Sequence, residues 1–215
     1  MTSLVFLSAS FPTLARRDEA GDFFPPDIAA ATAAVVEATL RSGATLIYGG
    51  HPTITPLVLY VATMLNAGSQ IRCYQSLFFE QRFTNEMQRL VSLEGANFTF
   101  TPSGSSLESS IQTMRERMFE SPIQAAFFVG GMDGIRQEYS LLRTTQPGAN
   151  IFAFTAPGGA AASLDSYLDF APAGDVELNG PRRYPRSRRQ ITMLAGRAYA
   201  SLALASLEEL EFGSE

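Results

Sequence analysis

The sequence predicts an α/β fold, a three-layer Rossmann-like domain built on a mainly parallel sheet. Short apolar runs alternate with segments of helical periodicity in seven crossover-type units, with no hairpin signal between them. Three of the runs end in turns rich in glycine, proline or serine. These are Phe6-Leu7-Ser8-Ala9-Ser10, Ile47-Tyr48-Gly49-Gly50-His51-Pro52 and Phe128-Val129-Gly130-Gly131-Met132-Asp133-Gly134.

Residues 3–8 read as the first strand. After a polar stretch Asp27 is expected to cap a helix, because Ile28, Ala31, Val35 and Thr39 recur behind it at helical spacing. Gly43 closes that helix, and 44–48 form a second strand. Pro56 suits the opening turn of the next helix, with Leu57, Tyr60, Val61, Met64 and Leu65 as its apolar face. A strand at 70–75, a helical stretch at 84–93 and a short strand at 97–100 follow. Leu107–Glu120 reads as a helix capped by Ser105 or Ser106, and 124–129 as a buried strand. A helix at 134–143 and a strand at 150–155 come next, then an irregular segment over 156–188 and a final helix over 189–210.

That last helix carries Ile191, Leu194, Ala195, Ala198, Leu202 and Ala205 on one stripe, and Met193, Ala200, Leu204 and Leu207 on another. A helix apolar on two sides is either deeply buried or half of a dimer contact, so it is the candidate interface of a homo-oligomer. Repeats and low-complexity linkers are absent, which leaves one domain over 1–215. Its core spans about 3–160, with a basic loop at 178–189 before the last helix.

Composition narrows the function classes. A chain of 215 residues buries roughly 70% of its extended-chain surface. Its net charge of −5 gives nucleic acid little electrostatic support. All 16 basic residues are arginine, which excludes a Walker lysine and a Schiff-base lysine. The single cysteine, Cys73, excludes an intrachain disulfide and a cysteine metal cage, and its apolar surroundings predict a buried, inert thiol. The chain starts directly into Leu4-Val5-Phe6-Leu7 without a basic leader, and no apolar run approaches the roughly 20 residues that span a bilayer. A cytoplasmic protein without a membrane partner is expected. Neither a metal nor a cofactor is expected, since His51 is the only histidine.

The turns carry the chemistry. A glycine-rich strand exit that opens a helix leaves backbone N–H groups unpaired, and the helix dipole adds partial positive charge there, so phosphate is the natural guest. Ser8, Ala9 and Ser10, then Gly49, Gly50, His51 and Thr53, then Gly130, Gly131, Met132, Asp133 and Gly134 are therefore candidate ligand contacts. Glu138 falls one helical turn after Gly134. It can serve catalysis, hydrogen-bond a ribose hydroxyl, or merely complement the dipole. Arg136 either pairs with a phosphate or is solvated, and Asp133 is a candidate N-cap. Thr53 and Thr55 either donate hydroxyls to the ligand or cap the helix at Pro56. A fourth turn, Thr155–Ala161, puts Gly158 and Gly159 at the crevice's far wall or in an ordinary strand exit. The run 180–189 holds five arginines and reads as a solvated loop, a lid over an anionic ligand, or a nucleic-acid patch.

The ordered set of turns resembles the SLOG superfamily, which groups the Lonely Guy cytokinin-activating enzymes, the Smf/DprA proteins and sensor domains attached to Sir2 and TIR proteins. Its pattern is a small first turn, a Gly-Gly second turn and a later Gly-Gly-x-Gly…Glu element. Ser8-Ala9-Ser10, Tyr48–Thr53 and Gly130–Gly134 with Glu138 match it in order. The Lonely Guy form Pro-Gly-Gly-x-Gly-Thr-x-x-Glu is altered: Val129 replaces the proline, one residue is added before Gly134, and Ile135 replaces the threonine. In those enzymes the glutamate, with an arginine, helps cleave the N-glycosidic bond of a nucleoside monophosphate. Transferred here, the resemblance implies Glu138 and Arg136 as the catalytic residues of such an enzyme. The departures turn the expectation toward the Sir2- and TIR-associated branch, a sensor of ADP-ribose-type or cyclic nucleotide signals in antiviral defence, acting with a separate TIR or effector protein. A DNA-binding relative of Smf/DprA is disfavoured by the acidic charge.

Overall fold

The structure is a computed structural model that describes residues 3–167 and 191–211. Seven parallel strands form one sheet in the order β4-β3-β2-β1-β5-β6-β7. They are β1 (Leu4–Ser10), β2 (Thr45–Tyr48), β3 (Ile71–Ser76), β4 (Asn97–Thr101), β5 (Ala125–Gly130), β6 (Asn150–Phe154) and β7 (Ile191–Leu194). The helices are α1 (Arg17–Ala20), α2 (Pro25–Arg41), α3 (Thr55–Met64), α4 (Asn85–Val91), α5 (Leu107–Met118), α6 (Asp133–Thr145), α7 (Leu164–Tyr167) and α8 (Tyr199–Glu211).

The two-residue period of a strand divides the core. Val5 and Leu7 point into a layer with α2, α3, α4 and α8, while Leu4 and Phe6 point into a layer with α5, α6 and α7. Every residue of β5 is buried, as expected of a strand covered on both faces. On the second face Phe6 meets Phe119 edge-on at 4.9 Å between ring centres. The chain winds outward from β1 to β4, then returns beside β1 as β5 and winds outward the other way. That reversal opens a crevice at the carboxyl ends of β1 and β5.

The three-layer fold is as the sequence predicts, and several element boundaries differ. Ser8-Ala9-Ser10 is not a turn opening a helix: β1 runs through Ser10, paired with β5 as far as Gly130. Helix α2 starts at Pro25 with Phe24 at the N-cap, so Asp27 is inside its first turn and not the cap. Pro25 and Pro26 have no N–H to lose at that end and are preset for helix. Ser106 is the α5 cap, with a full capping box to Ser109. The irregular segment contains a 3-10 turn at Ala160–Ser163 and α7. The final helix begins at Tyr199, because Ile191–Leu194 pairs with β6 and Gly196 at φ +99° breaks the chain between them. Helix α8 buries Tyr199, Ala203 and Leu207 on the α2 side, while Leu204 and Ala205 stay exposed. The arginine-rich run 180–189 lies outside the described residues.

The turn after β6 packs behind the crevice. Gly159 N–H donates to Asp22 O at 2.9 Å, Ala160 N–H to Gly131 O at 3.0 Å, and Gly131 N–H to Ser10 O at 2.9 Å. Gly159 has φ +72°, and a Cβ there would fall 2.5 Å from the Gly130 carbonyl carbon. Positive φ and backbone contact both require glycine. Gly159→Ala is expected to destabilise the protein by about 2–4 kcal/mol in urea unfolding, strain and overpacking together. A loss below about 0.5 kcal/mol would contradict this packing.

Candidate functional site

The crevice is a cavity of about 490 Å³, within the usual range of small-molecule sites. Its floor is the end of β1, Leu7 to Ser10, and one side is the turn from Tyr48 to Pro52. Met132, Gly134, Ile135 and Glu138 enter from the start of α6, and Leu107, Ile111, Met114 and Arg115 from α5. Gln75, Phe79, Arg82, Phe83, Thr84 and Met87 close the β3 side, and Arg16 borders the β1 side.

Register sets the centre of the site. Because Ser8 pairs with Phe128 and Ser10 with Gly130, α6 begins just beyond the sheet edge and Glu138 comes over Ser8. Ile135, Tyr139 and Leu142 fix the helix by burying its sheet-facing stripe. Ser8 Oγ donates to Glu138 Oε2 at 2.5 Å. Arg115 Nε donates to Glu138 Oε1 at 3.2 Å, Nη1 to Gln137 Oε1 at 2.7 Å, and Nη2 to Gly134 O at 3.2 Å. Both members of the ion pair are mostly buried, with side chains 10% and 16% exposed. A guanidinium in that setting is held by the geometry of three contacts rather than by charge alone.

The second turn is rigid from within. Gly50 has φ +59°, and a Cβ there would meet Met87 Cε at 2.7 Å. Gln75 Nε2 donates to Gly50 O at 3.1 Å. Thr55 Oγ1 donates to His51 O at 3.0 Å, so Thr55 stabilises the turn and does not reach the cavity. Tyr48 and Cys73 are buried beside it. Burial pushes the Tyr48 phenol well above its ordinary range and the Cys73 thiol up to about 12, so both stay protonated near neutrality. The thiol is inert, as the sequence predicts.

Of the sequence-predicted contacts, Ser8, Ala9, Ser10, Gly49, Gly50, His51, Met132, Gly134 and Glu138 line the cavity. Thr53, Gly130, Gly131, Asp133, Gly158 and Gly159 do not. Gly130 and Gly131 are packed against Ile28 and Ile135, and Gly158 against the backbone of Asp22. The close approach expected of the fourth turn is made to protein backbone, not to the crevice. Asp133 is the first helical residue behind Met132 and accepts from Gln137 at 2.9 Å, so it is not the N-cap. Arg136 is outside the cavity lining, 3.9 Å from Asp133, and the arginine beside Glu138 is Arg115. The sequence held a signal for Arg115. It lies four residues after Ile111 and three before Met118, a charge on the stripe that faces the sheet. Phe79 and Phe83 follow β3 four residues apart.

Three arginines and one carboxylate line the cavity of a chain whose net charge is −5. No group of residues suited to a metal ion occurs among the described residues. No described helix is long and apolar enough to cross a membrane. The His51 ring meets Thr53 Oγ1 through Nδ1 at 2.8 Å, and Thr53 N–H donates to the same nitrogen at 3.3 Å. Nδ1 therefore accepts, and desolvation lowers the ring's pKa from 6.5. A depressed folded-state pKa makes the folded form resist the proton, so stability is present above 6.5 and falls as pH drops through the folded value. The stability difference between the wild type and His51→Asn should accordingly shrink from about pH 7 to about pH 5 in chemical unfolding. A difference that grows on acidification would reverse the assignment.

A model of the SLOG cluster3 family matches residues 19–185, which include the second turn, Arg115 and the Gly130–Glu138 element. No curated protein matches the chain. Because the matched segment is well over half of the 215 residues, this protein belongs to the SLOG cluster3 family.

Proposed function

We propose that this protein binds a nucleotide-derived ligand, an ADP-ribose-type or cyclic nucleotide signal, in the crevice between β1 and β5 and acts as a sensor. Family membership points to a nucleotide-related function. The observation that carries the sensor reading is the state of Glu138, whose two oxygens already accept from Ser8 and Arg115. Each oxygen keeps a further lone pair that can accept from a ribose hydroxyl. Phosphate suits the start of α6, where the N–H groups of Asp133 and Gly134 have no intrahelical acceptor. Arg16 also lines the cavity. Signalling then runs through assembly or a separate TIR or effector partner in antiviral defence, and the exposed Leu204 face of α8 supports an assembly contact. We take residues 1–215 as one cytoplasmic nucleotide-binding unit.

The Arg115–Glu138 pair favours one second reading, a nucleoside 5′-monophosphate N-glycosidase. Glu138 would stabilise positive charge on the ribose as the glycosidic bond lengthens. Water would add its oxygen to C1′, and the departing base would keep the bond's electrons and gain a proton, giving free base and ribose 5-phosphate.

A thermal-shift panel of nucleotides, ADP-ribose and its cyclic isomers, with product analysis of each hit, separates the two. A ligand at 100 times its Kd adds about 2.7 kcal/mol, a rise of roughly 5–10 °C for a chain of this size. Under the sensor reading the hit is recovered intact and Glu138→Gln weakens its binding. Recovery of free base and ribose 5-phosphate, lost in Glu138→Gln with binding retained, would establish the enzyme instead.

A further inference from the structure

The β3 side of the cavity has its own cation and its own aromatic wall. Phe79 and Arg82 belong to a 3-10 turn at Leu77–Arg82, Phe83 follows it, and all three line the cavity. The segment is fixed at both ends. Ser76 Oγ accepts from Phe78 N–H at 3.2 Å, and Thr84 Oγ1 accepts from Met87 N–H at 3.2 Å to cap α4. The rings are supported from behind, Phe79 by Phe78 at 5.4 Å and Phe83 by Phe100 at 5.9 Å between centroids. Arg82 is exposed, and among the described residues no carboxylate lies within ion-pair distance of it. A guanidinium held beside two braced rings at a cavity wall is suited to an anionic group adjoining a planar one.

This subsite lies two strand positions from Ser8, roughly 10 Å across the sheet. A ligand with its phosphate at the start of α6 and its ribose over Ser8 and Glu138 reaches Arg82 only from the base side. A nucleoside 5′-monophosphate has no charge there. We propose that Phe79 and Phe83 receive the ligand's ring and that Arg82 selects a ligand bearing a second anionic group on the base side of the ribose, a phosphate on its 2′ oxygen, with the 3′ hydroxyl left to donate to Glu138. The proposal rests on the nucleotide reading given above and adds to it the ligand's charge layout.

Isothermal titration of the full chain with adenosine 5′-monophosphate and adenosine 2′,5′-bisphosphate tests it, repeated with the guanosine pair. For whichever base binds, the bisphosphate should bind about tenfold more tightly than the monophosphate in the wild type. That ratio should fall to about one in Arg82→Gln, whose unchanged melting temperature certifies its fold. Equal affinities in the wild type, or a ratio that survives in Arg82→Gln, overturn the second anionic subsite while the nucleotide reading stands. Absence of binding by all four nucleotides to the wild type overturns this inference, while the nucleotide reading then stands or falls on ADP-ribose and its cyclic isomers in the thermal-shift panel.

Discussion

Crowding where β1, β5 and the exit of β6 meet is the constraint on which the site depends. Ser10 O takes the Gly131 N–H, Gly131 O takes the Ala160 N–H, and Asp22 O takes the Gly159 N–H, so successive backbones are joined with little side-chain volume between them. Gly130, Gly131 and Gly159 all have positive φ, and a Cβ on any of them would collide with a neighbour. This closeness sets where α6 starts, and the start of α6 sets where Glu138 ends up. Ser8 and Arg115 then meet the carboxylate from β1 and α5. A glycine-rich sequence that reads as a ligand cradle is thus partly a packing device, and the catalytic-looking contacts follow from it.

The fold was legible where a single physical signal dominated. Buried parallel strands such as Ala125–Gly130 are continuous apolar runs, and α3 announces itself by a proline at its start. Boundaries were misread where two signals competed. Apolar residues from Ile191 to Leu207 fit a helical stripe, but Ile191–Leu194 lies on the open edge of β6, where pairing outweighs helix propensity. Asp27 suits a cap, but the helix already begins at Pro25, and Asp27 falls in its first turn.

Much of the candidate site was legible as well, since glycine-rich turns at strand ends have a local signature. What escaped was the non-local part. Arg136 was attractive because it is close to Glu138 in sequence, whereas Arg115 reaches the same carboxylate from 23 residues earlier, across the gap between α5 and α6. Likewise nothing local distinguishes Gly158 and Gly159, which accommodate backbone, from Gly49 and Gly50, which border the cavity. Topology decides, and a single sequence states topology only coarsely.

The use of arginine alone for positive charge gives the cavity an unusual property as a host. Arg16, Arg82 and Arg115 all offer guanidinium groups, the side-chain type that stays charged in proteins, and His51, with its lowered pKa, carries no charge above its ordinary titration range. Its cations therefore have no titration of their own near neutrality, while a phosphate monoester takes on its second negative charge near pH 6. Acidification would weaken the guest's attraction to a field of constant strength, so the affinity profile would trace the ionisation of the ligand and not that of the arginines that hold it.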